Sequence, residues 1–380
     1  MTLVDQPTAT TAASSPGALI EQQIEKFFHD LPGGTVAHGL SVGVLQWPQG
    51  AAPQEYRYFV GKADVAQGTP VDADTVFEIG SMSKSFTTTM LAARVLKGEM
   101  SLDDTAQSYY DRSGTPVTLP VYTDPSTGDV YQMTMLDLAD FTSGMTEKSP
   151  SNVGRPNEYT FDRMHNYLEN DFPCGLPNQP GTAFVYVNTN FGIIAELLMR
   201  AGGYSEYGDM LQAELITAGG LAMPSTGVIT SNMPSIPNLA QGYNPDGTVQ
   251  PNYALNTWPA LQGAGGIYSS LPDMLEWLRF NMHRIDSPLN GALALTHKQW
   301  FPSSGLGGEG LGWFITPLSG TTVISKDGGT SGFHSWTGFT RDGTVGVVVL
   351  CNGSLSSGGP GGGSPVDALG FAIMRALIQS

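Results

Sequence analysis

The chain has 380 residues, 40% of them hydrophobic, enough to bury a large core in one big domain or two intertwined ones. It carries 34 Asp and Glu against 17 Lys and Arg, a formal net charge of -17, which excludes nucleic acid and anionic membrane surfaces as natural partners. Only 13% of residues are charged and 48 are glycine, so the surface is rich in small and neutral polar groups.

Residues 1–16 read as a flexible Thr-, Ala- and Ser-rich tail, with neither the basic start nor the apolar run of a signal peptide. No later stretch approaches the ~18 apolar residues of a membrane span. For the sequence as written the expectation is a cytoplasmic protein without membrane insertion; a mature or trimmed form of a periplasmic or secreted protein would read the same. The periodicity predicts a helix over Ile20–Leu31, with Ile24, Phe27 and Phe28 on one side. A hairpin of Leu40–Trp47 and Tyr56–Val60 follows, turning at Pro48-Gln49-Gly50. A short strand, Val76–Ile79, ends at Gly80, and a helix is expected from Ser81 to about Lys97, closed by Gly98.

Strand signals almost vanish in the middle, where helical segments are predicted at Met135–Phe141, Phe191–Ala201 and Tyr204–Ala218, and then at Pro272–His283. Strands return at Leu311–Ile315, Thr321–Ser325, Ser335–Thr340 and Thr344–Leu350. A flexible connector covers Gly358–Ser364 before a last helix, Val366–Ile378. Strands at both ends with helices between them indicate an α+β class in two lobes. Residues 17–100 and 260–380 would carry the sheet, 101–259 would form a mainly helical lobe, and an active-site cleft would lie between them.

Two cysteines, Cys174 and Cys351, lie far apart and outside any metal-ligand spacing. Cys351 ends an apolar run and reads as core, and a disulfide to Cys174 is not predicted. The six histidines form no paired motif, so neither a metal nor another cofactor is expected.

Three short motifs carry chemistry. Ser81-Met82-Ser83-Lys84 is an S-x-x-K at a strand-to-helix junction, where one helical turn brings the Lys84 amine back toward the Ser81 hydroxyl and the helix N-terminus favours a developing alkoxide. A serine hydroxyl needs such a base, although a capping serine beside an exposed lysine has the same pattern. Tyr186-Val187-Asn188 places a phenol and an amide at alternate positions, able to point into one cleft; a neighbouring ammonium such as Lys84 would make the phenolate accessible and Tyr186 usable as a base. Lys326-Asp327-Gly328-Gly329 follows a predicted strand, and its glycines let a substrate lie against the backbone, while Asp-Gly-Gly reads equally well as a hairpin turn.

Three such motifs in this order resemble the serine β-lactamase and penicillin-binding-protein superfamily, in particular its class C branch with the related esterases and D-amino-acid peptidases. Phe77-Glu78-Ile79-Gly80-Ser81, Phe141-Thr142-Ser143-Gly144-Met145 and Gly310-Leu311-Gly312-Trp313 add to the likeness, which spans Ile20 to the C-terminus. The resemblance implies an antiparallel sheet flanked by the terminal helices beside a helical lobe, and a covalent acyl-enzyme on Ser81. It implies proton transfers shared by Lys84 and Tyr186, without deciding which is the base, and substrate binding by Asn188, Lys326, Gly328 and Gly329. The backbone N–H groups of Ser81 and Gly329 would form the oxyanion hole. The substrate would be a small ester, amide or lactam. An esterase or amidase leads because Asp327 stands where lactam-processing relatives carry threonine; a true β-lactamase or D-Ala-D-Ala carboxypeptidase, an acyltransferase and an inactive binding module are the alternatives. His334 would line the cleft or serve the structure. Oligomeric state is not legible.

Overall fold

The computed structural model describes residues 15–146, 159–228, 235–251, 258–303, 307–355 and 363–380. The expected tail, up to residue 14, and most of the Gly358–Ser364 connector fall outside them. The architecture follows from two strands that are apolar on both faces. Gly39–Gln46 and Val345–Cys351 are buried along their whole length and pair in antiparallel register, Val42 opposite Val349, joining the two ends of the chain. Around this pair a nine-stranded antiparallel sheet extends in the order Phe301–Ser303, Gly307–Glu309, Phe314–Leu318, Thr321–Gly329, His334–Thr340, Val345–Cys351, Gly39–Gln46, Gln54–Asp64, Thr69–Pro70.

A strand buried on both faces requires a cover on each side. On one face Leu40, Val42, Val44, Val347 and Val349 pack with Ile20, Ile24, Leu369 and Ile373 of the terminal helices Pro16–His29 and Pro365–Ile378. Each such side chain contributes roughly 1.5–3 kcal/mol by leaving water. On the other face helix Leu271–Asn281 lies so close that a Cβ at Gly43 would sit 2.8 Å from Leu275, and one at Gly346 would sit 2.9 Å from Leu278. Side-chain caps set the helix starts: Ser15 bonds the Ala18 N–H, and Ser364 with Asp367 forms a capping box.

Several elements differ from the sequence reading. The strand predicted from Leu311 starts only at Phe314, because Gly312 turns with φ +72° and its N–H donates to the Ala139 carbonyl. Conversely, Thr321–Gly329 runs four residues past the predicted end, so Asp-Gly-Gly forms no turn: Lys326 pairs with Thr337 and Gly328 with Ser335. The helix expected at Tyr204–Ala218 is α-helical over Tyr207–Met210 and π-helical over Leu211–Thr217. Helices Ala106–Ser113, Phe161–Asn170 and Asn290–Thr296 were not anticipated, and two short ribbons, Tyr122–Thr123 with Val130–Tyr131 and Gly242–Tyr243 with Val249–Gln250, accompany the helical part. Cys174 is exposed and Cys351 buried, and both are free thiols.

The helical part is organised on one buried carboxylate. Glu196, 2% exposed on helix Asn188–Gly202, accepts hydrogen bonds from the Tyr110 hydroxyl (2.7 Å), His165 Nε2 (2.8 Å) and the Arg200 guanidinium (2.7 and 2.9 Å). Burial works to raise its pKa, yet the His165, Tyr110 and Arg200 contacts hold the carboxyl below its ordinary range. With a depressed folded pKa, its contribution is complete above about pH 4.3 and is lost as the pH falls through the folded value. Glu196→Ala, which strands the buried Tyr110 hydroxyl and unpairs the part-buried His165 and the exposed Arg200, is expected to lower unfolding free energy by about 3 kcal/mol in urea titrations at pH 7.

Candidate active site

The strand Val76–Glu78 pairs with Tyr268–Ser270 and delivers the chain into a 3-10 turn, Gly80–Met82, before the helix Ser83–Leu96 begins. Gly80 takes φ +50°, and a Cβ there would lie 2.6 Å from the Gly329 nitrogen; one at Gly328 would lie 3.0 Å from the Ser81 nitrogen and 2.0 Å from the Ile79 carbonyl oxygen. The absence of side chains at these positions lets the end of strand Thr321–Gly329 press its backbone against the Ser81 turn. Ser335 reinforces the contact by donating from Oγ to the Ile79 carbonyl at 2.8 Å. Ser83 ties the turn down from the other side, donating to the Gly80 carbonyl at 2.7 Å and accepting from the Ile267 N–H at 3.1 Å.

One turn into the helix, Lys84 is fully buried, and its Nζ has three neighbours: Ser81 Oγ at 2.9 Å, Asn188 Oδ1 at 2.8 Å and the Ala264 carbonyl at 2.7 Å. Burial, helped by the positive charge of Lys326, holds the Lys84 amine well below the usual lysine range. Asn188 opens helix Asn188–Gly202, so its side chain projects from the helix start toward Lys84. Asn190 anchors the same helix, accepting from Ser143 Oγ at 2.9 Å and donating to the Leu138 carbonyl at 3.2 Å.

Tyr186 lies just before that helix, its ring centroid 4.9 Å from Lys84 Nζ and 5.2 Å from Lys326 Nζ. Burial raises its pKa; Lys326 and the nearby Ser81 hydroxyl pull the other way without reversing the shift. Burial thus works against the expected stabilisation of a Tyr186 phenolate, whereas for Lys84 it favours the neutral amine. Phe141 holds the ring in place by stacking at 5.1 Å and 16°, and stacks on Phe314 at 5.9 Å. Phe141 does so from a left-handed backbone, φ +66°, uncommon for a non-glycine residue.

Lys326, also fully buried, donates to the backbone carbonyl and to Oδ1 of Asp327, both at 2.8 Å. Against the cost of burial, Asp327 and Tyr186 hold its pKa above the ordinary value. The Asp327 side chain is 43% exposed, so its carboxylate reaches solvent at the site's edge while neutralising the lysine. Glu309, close enough to feel Lys326, keeps Oε2 without a hydrogen-bond partner among the described residues; burial pushes its carboxyl up to about 7 against the pull of Lys326. His334 pairs with Gly329 across the sheet, where a Cβ on Gly329 would lie 3.0 Å from its ring, while its Nδ1 accepts the Leu355 N–H at 2.8 Å. The residues singled out for the site from sequence thus gather at one place, with His334 beside Gly329 at its edge. Phe141 had entered the sequence reading only as part of a family-like segment, and the Ala264 carbonyl, Phe314 and Glu309 carried no local signal that could have revealed them.

The family model described as Beta-lactamase matches residues 24–368. A beta-lactamase from Pseudomonas fluorescens is 27% identical over 355 residues, covering 83% of this chain and 88% of the relative. A D-aminopeptidase from Gluconobacter oxydans is 27% identical over 303 residues, covering 78% of this chain and 53% of that protein. Among solved structures, a class C beta-lactamase superposes with a TM-score of 0.74 at 22% identity, covering 98% of this chain and 99% of its own, so the fold is the class C one. Among the described residues no helix is long and apolar enough to cross a membrane. With a family model spanning nearly its whole length, the chain belongs to the Beta-lactamase family.

Proposed function

We propose that this serine hydrolase cleaves small neutral esters or amides through a covalent acyl-enzyme on Ser81, with Lys84 as the base. The carrying observation is the set of neighbours of Lys84 Nζ. A neutral amine has two hydrogens and one lone pair. The Ala264 and Asn188 oxygens are acceptors that take the hydrogens, and the lone pair is left facing the Ser81 hydroxyl. Lys84 then removes that proton as Ser81 Oγ attacks the substrate carbonyl carbon, with the oxyanion received by the N–H groups of Ser81 and Gly329. The protonated Tyr186 passes its proton to the leaving alcohol or amine as the scissile bond breaks and recovers one by way of Lys84; water repeats the sequence to release the acid. In this reading the substrate lies in a cleft between the sheet-bearing residues 17–100 and 260–380, which supply Ser81, Lys84, Lys326, Gly328 and Gly329, and the helical residues 101–259, which supply Tyr186 and Asn188.

The neutral-substrate preference rests on Lys326. Its charge is already met by Asp327, so little remains to hold a substrate carboxylate, and the exposed Asp327 oxygen would repel one. The half-buried Phe314 and the exposed Phe184 flank Tyr186 and offer apolar surface to an acyl or alcohol group. The relatives named beta-lactamase and D-aminopeptidase support an acyl hydrolase, and the neutral preference rests on Lys326 and Asp327 alone.

Hydrolysis of p-nitrophenyl butyrate and labelling by a fluorophosphonate are both expected to vanish in Ser81→Ala; labelling that survives would reassign the nucleophile. Lys84→Arg, permanently charged, should lower kcat/KM about a thousandfold. In the parent enzyme kcat/KM should rise with pH as the depressed Lys84 pKa is passed, since the amine is active only when neutral; a flat acid side would remove Lys84 from the role of base. Tyr186→Phe should cost about a hundredfold on alkyl esters and far less on p-nitrophenyl esters, whose leaving group needs no proton. Equal losses on both would contradict a proton-donating phenol. Asp327→Thr frees Lys326 and is expected to raise kcat/KM for the anionic lactam nitrocefin about tenfold while leaving the butyrate ester within a factor of about two.

A further inference from the structure

Away from Ser81, a cavity of about 790 Å3 opens between the loop after helix Leu271–Asn281, the end of helix Asn290–Thr296 and the strands Phe314–Leu318, Thr321–Gly329 and His334–Thr340. None of the residues assembled around Ser81 lines it. Its floor is apolar, built by Leu293, Ile315, Ile324 and Phe339, each no more than 3% exposed. Its rim is cationic: Arg284, Lys298 and Arg341 are exposed there.

Three basic side chains share this rim without a carboxylate partner among the described residues. In a chain with twice as many carboxylates as Lys and Arg, the guanidiniums of Arg57, Arg94, Arg112, Arg200 and Arg279 each pair with a carboxylate. Among the described residues, no carboxylate lies within ion-pair distance of Arg284, Lys298 or Arg341. Lys298 sits over the Trp300 ring at 3.5 Å, while Arg284 covers the Trp47 ring at 4.9 Å and donates to the Gly343 carbonyl at 2.7 Å. The one acid in the described lining, Asp342, uses Oδ1 to accept from the Thr340 and Thr344 hydroxyls and the Thr344 N–H. The His297 imidazole adds no charge to this balance, since it is buried, bonded to Asn281 and driven down to about 3 by burial.

Uncompensated cations above an apolar floor fit one chemistry. A volume within the ~300–1,000 Å3 of small-molecule pockets admits a ligand of modest size. We propose that this cavity is a second binding site, for an organic anion with an apolar body such as a medium-chain carboxylate, whose head meets Arg341 and Lys298 and whose chain lies on Ile315, Ile324 and Phe339. The assignment does not depend on the substrate of Ser81.

Titrating the full chain with anilinonaphthalene sulfonate, and displacing it with octanoate or octanol, tests the site. Saturable fluorescence is expected, displaced by octanoate at concentrations where octanol fails. Affinity should fall about tenfold in Arg341→Glu and in Lys298→Glu, the size of one lost charge-assisted hydrogen bond, and about as much in the milder Arg341→Gln. These variants should retain ester hydrolysis, showing that they fold, and Ser81→Ala should bind as the parent does. No saturable signal, undiminished affinity in the charge variants, displacement by octanol as readily as by octanoate, or loss of binding in Ser81→Ala would each overturn the assignment.

Discussion

An amine buried without a carboxylate partner is the constraint around which this protein is organised. Lys84 is fully enclosed, and its neighbours are a hydroxyl, an amide oxygen and a peptide carbonyl, none of which carries charge. Desolvating an ammonium without a counter-charge is costly enough that the group sheds its proton instead. Among the charges that act on it, Lys326 has the same sign and pushes in the same direction, more strongly than Asp327 opposes it. The lowered basicity of this amine beside a serine hydroxyl is what the proposed role of Lys84 as base rests on, and it follows from packing rather than from any feature of lysine itself.

The rest of the fold keeps that amine dry and its neighbours fixed. The pairing of Gly39–Gln46 with Val345–Cys351 joins the first and last parts of the chain, and the terminal helices seal one face of the sheet. On the other face Thr88 Oγ1 of the Lys84 helix donates to the Leu311 carbonyl at 2.7 Å, and a Cβ at Gly312 would meet the Lys84 backbone oxygen at 3.0 Å. The turn that shortens the predicted strand at Leu311 is thus what braces the helix carrying Lys84. From the helical part, Glu196 and Asn190 hold the helix whose first residue is Asn188.

Charge is distributed unevenly in this acidic chain. At the Ser81 site Lys326 is matched by the residue that follows it, so the site's net field is weak despite two buried lysines. Across the same sheet, three cations remain unmatched beside an apolar cavity. Ile324 and Lys326 alternate on one strand and so face the same side of the sheet, which places the two regions along a single strand with opposite electrostatic solutions.

Much of the site was legible because its elements are local. Serine and lysine one helical turn apart, tyrosine and asparagine two residues apart, and glycines after a strand all express their geometry within a few residues. The α+β class was legible for the same reason, from the order of strand-like and helix-like periodicities. What local pattern suggested wrongly was Asp327-Gly328-Gly329, where turn propensity yielded to a ladder with Ser335 and Trp336 that sequence spacing cannot display. The pKa shifts were decided only by the tertiary structure: the Lys84 amine is lowered because residues 104 and 180 positions away close over it, and the Tyr186 phenol is raised because burial outweighs the pull of Lys326. The basic cavity arises the same way, since Arg284, Lys298 and Arg341 become neighbours only when the sheet forms. Residue types and short spacings belong to the sequence, but the dielectric around a charge is set by whatever the whole chain packs against it.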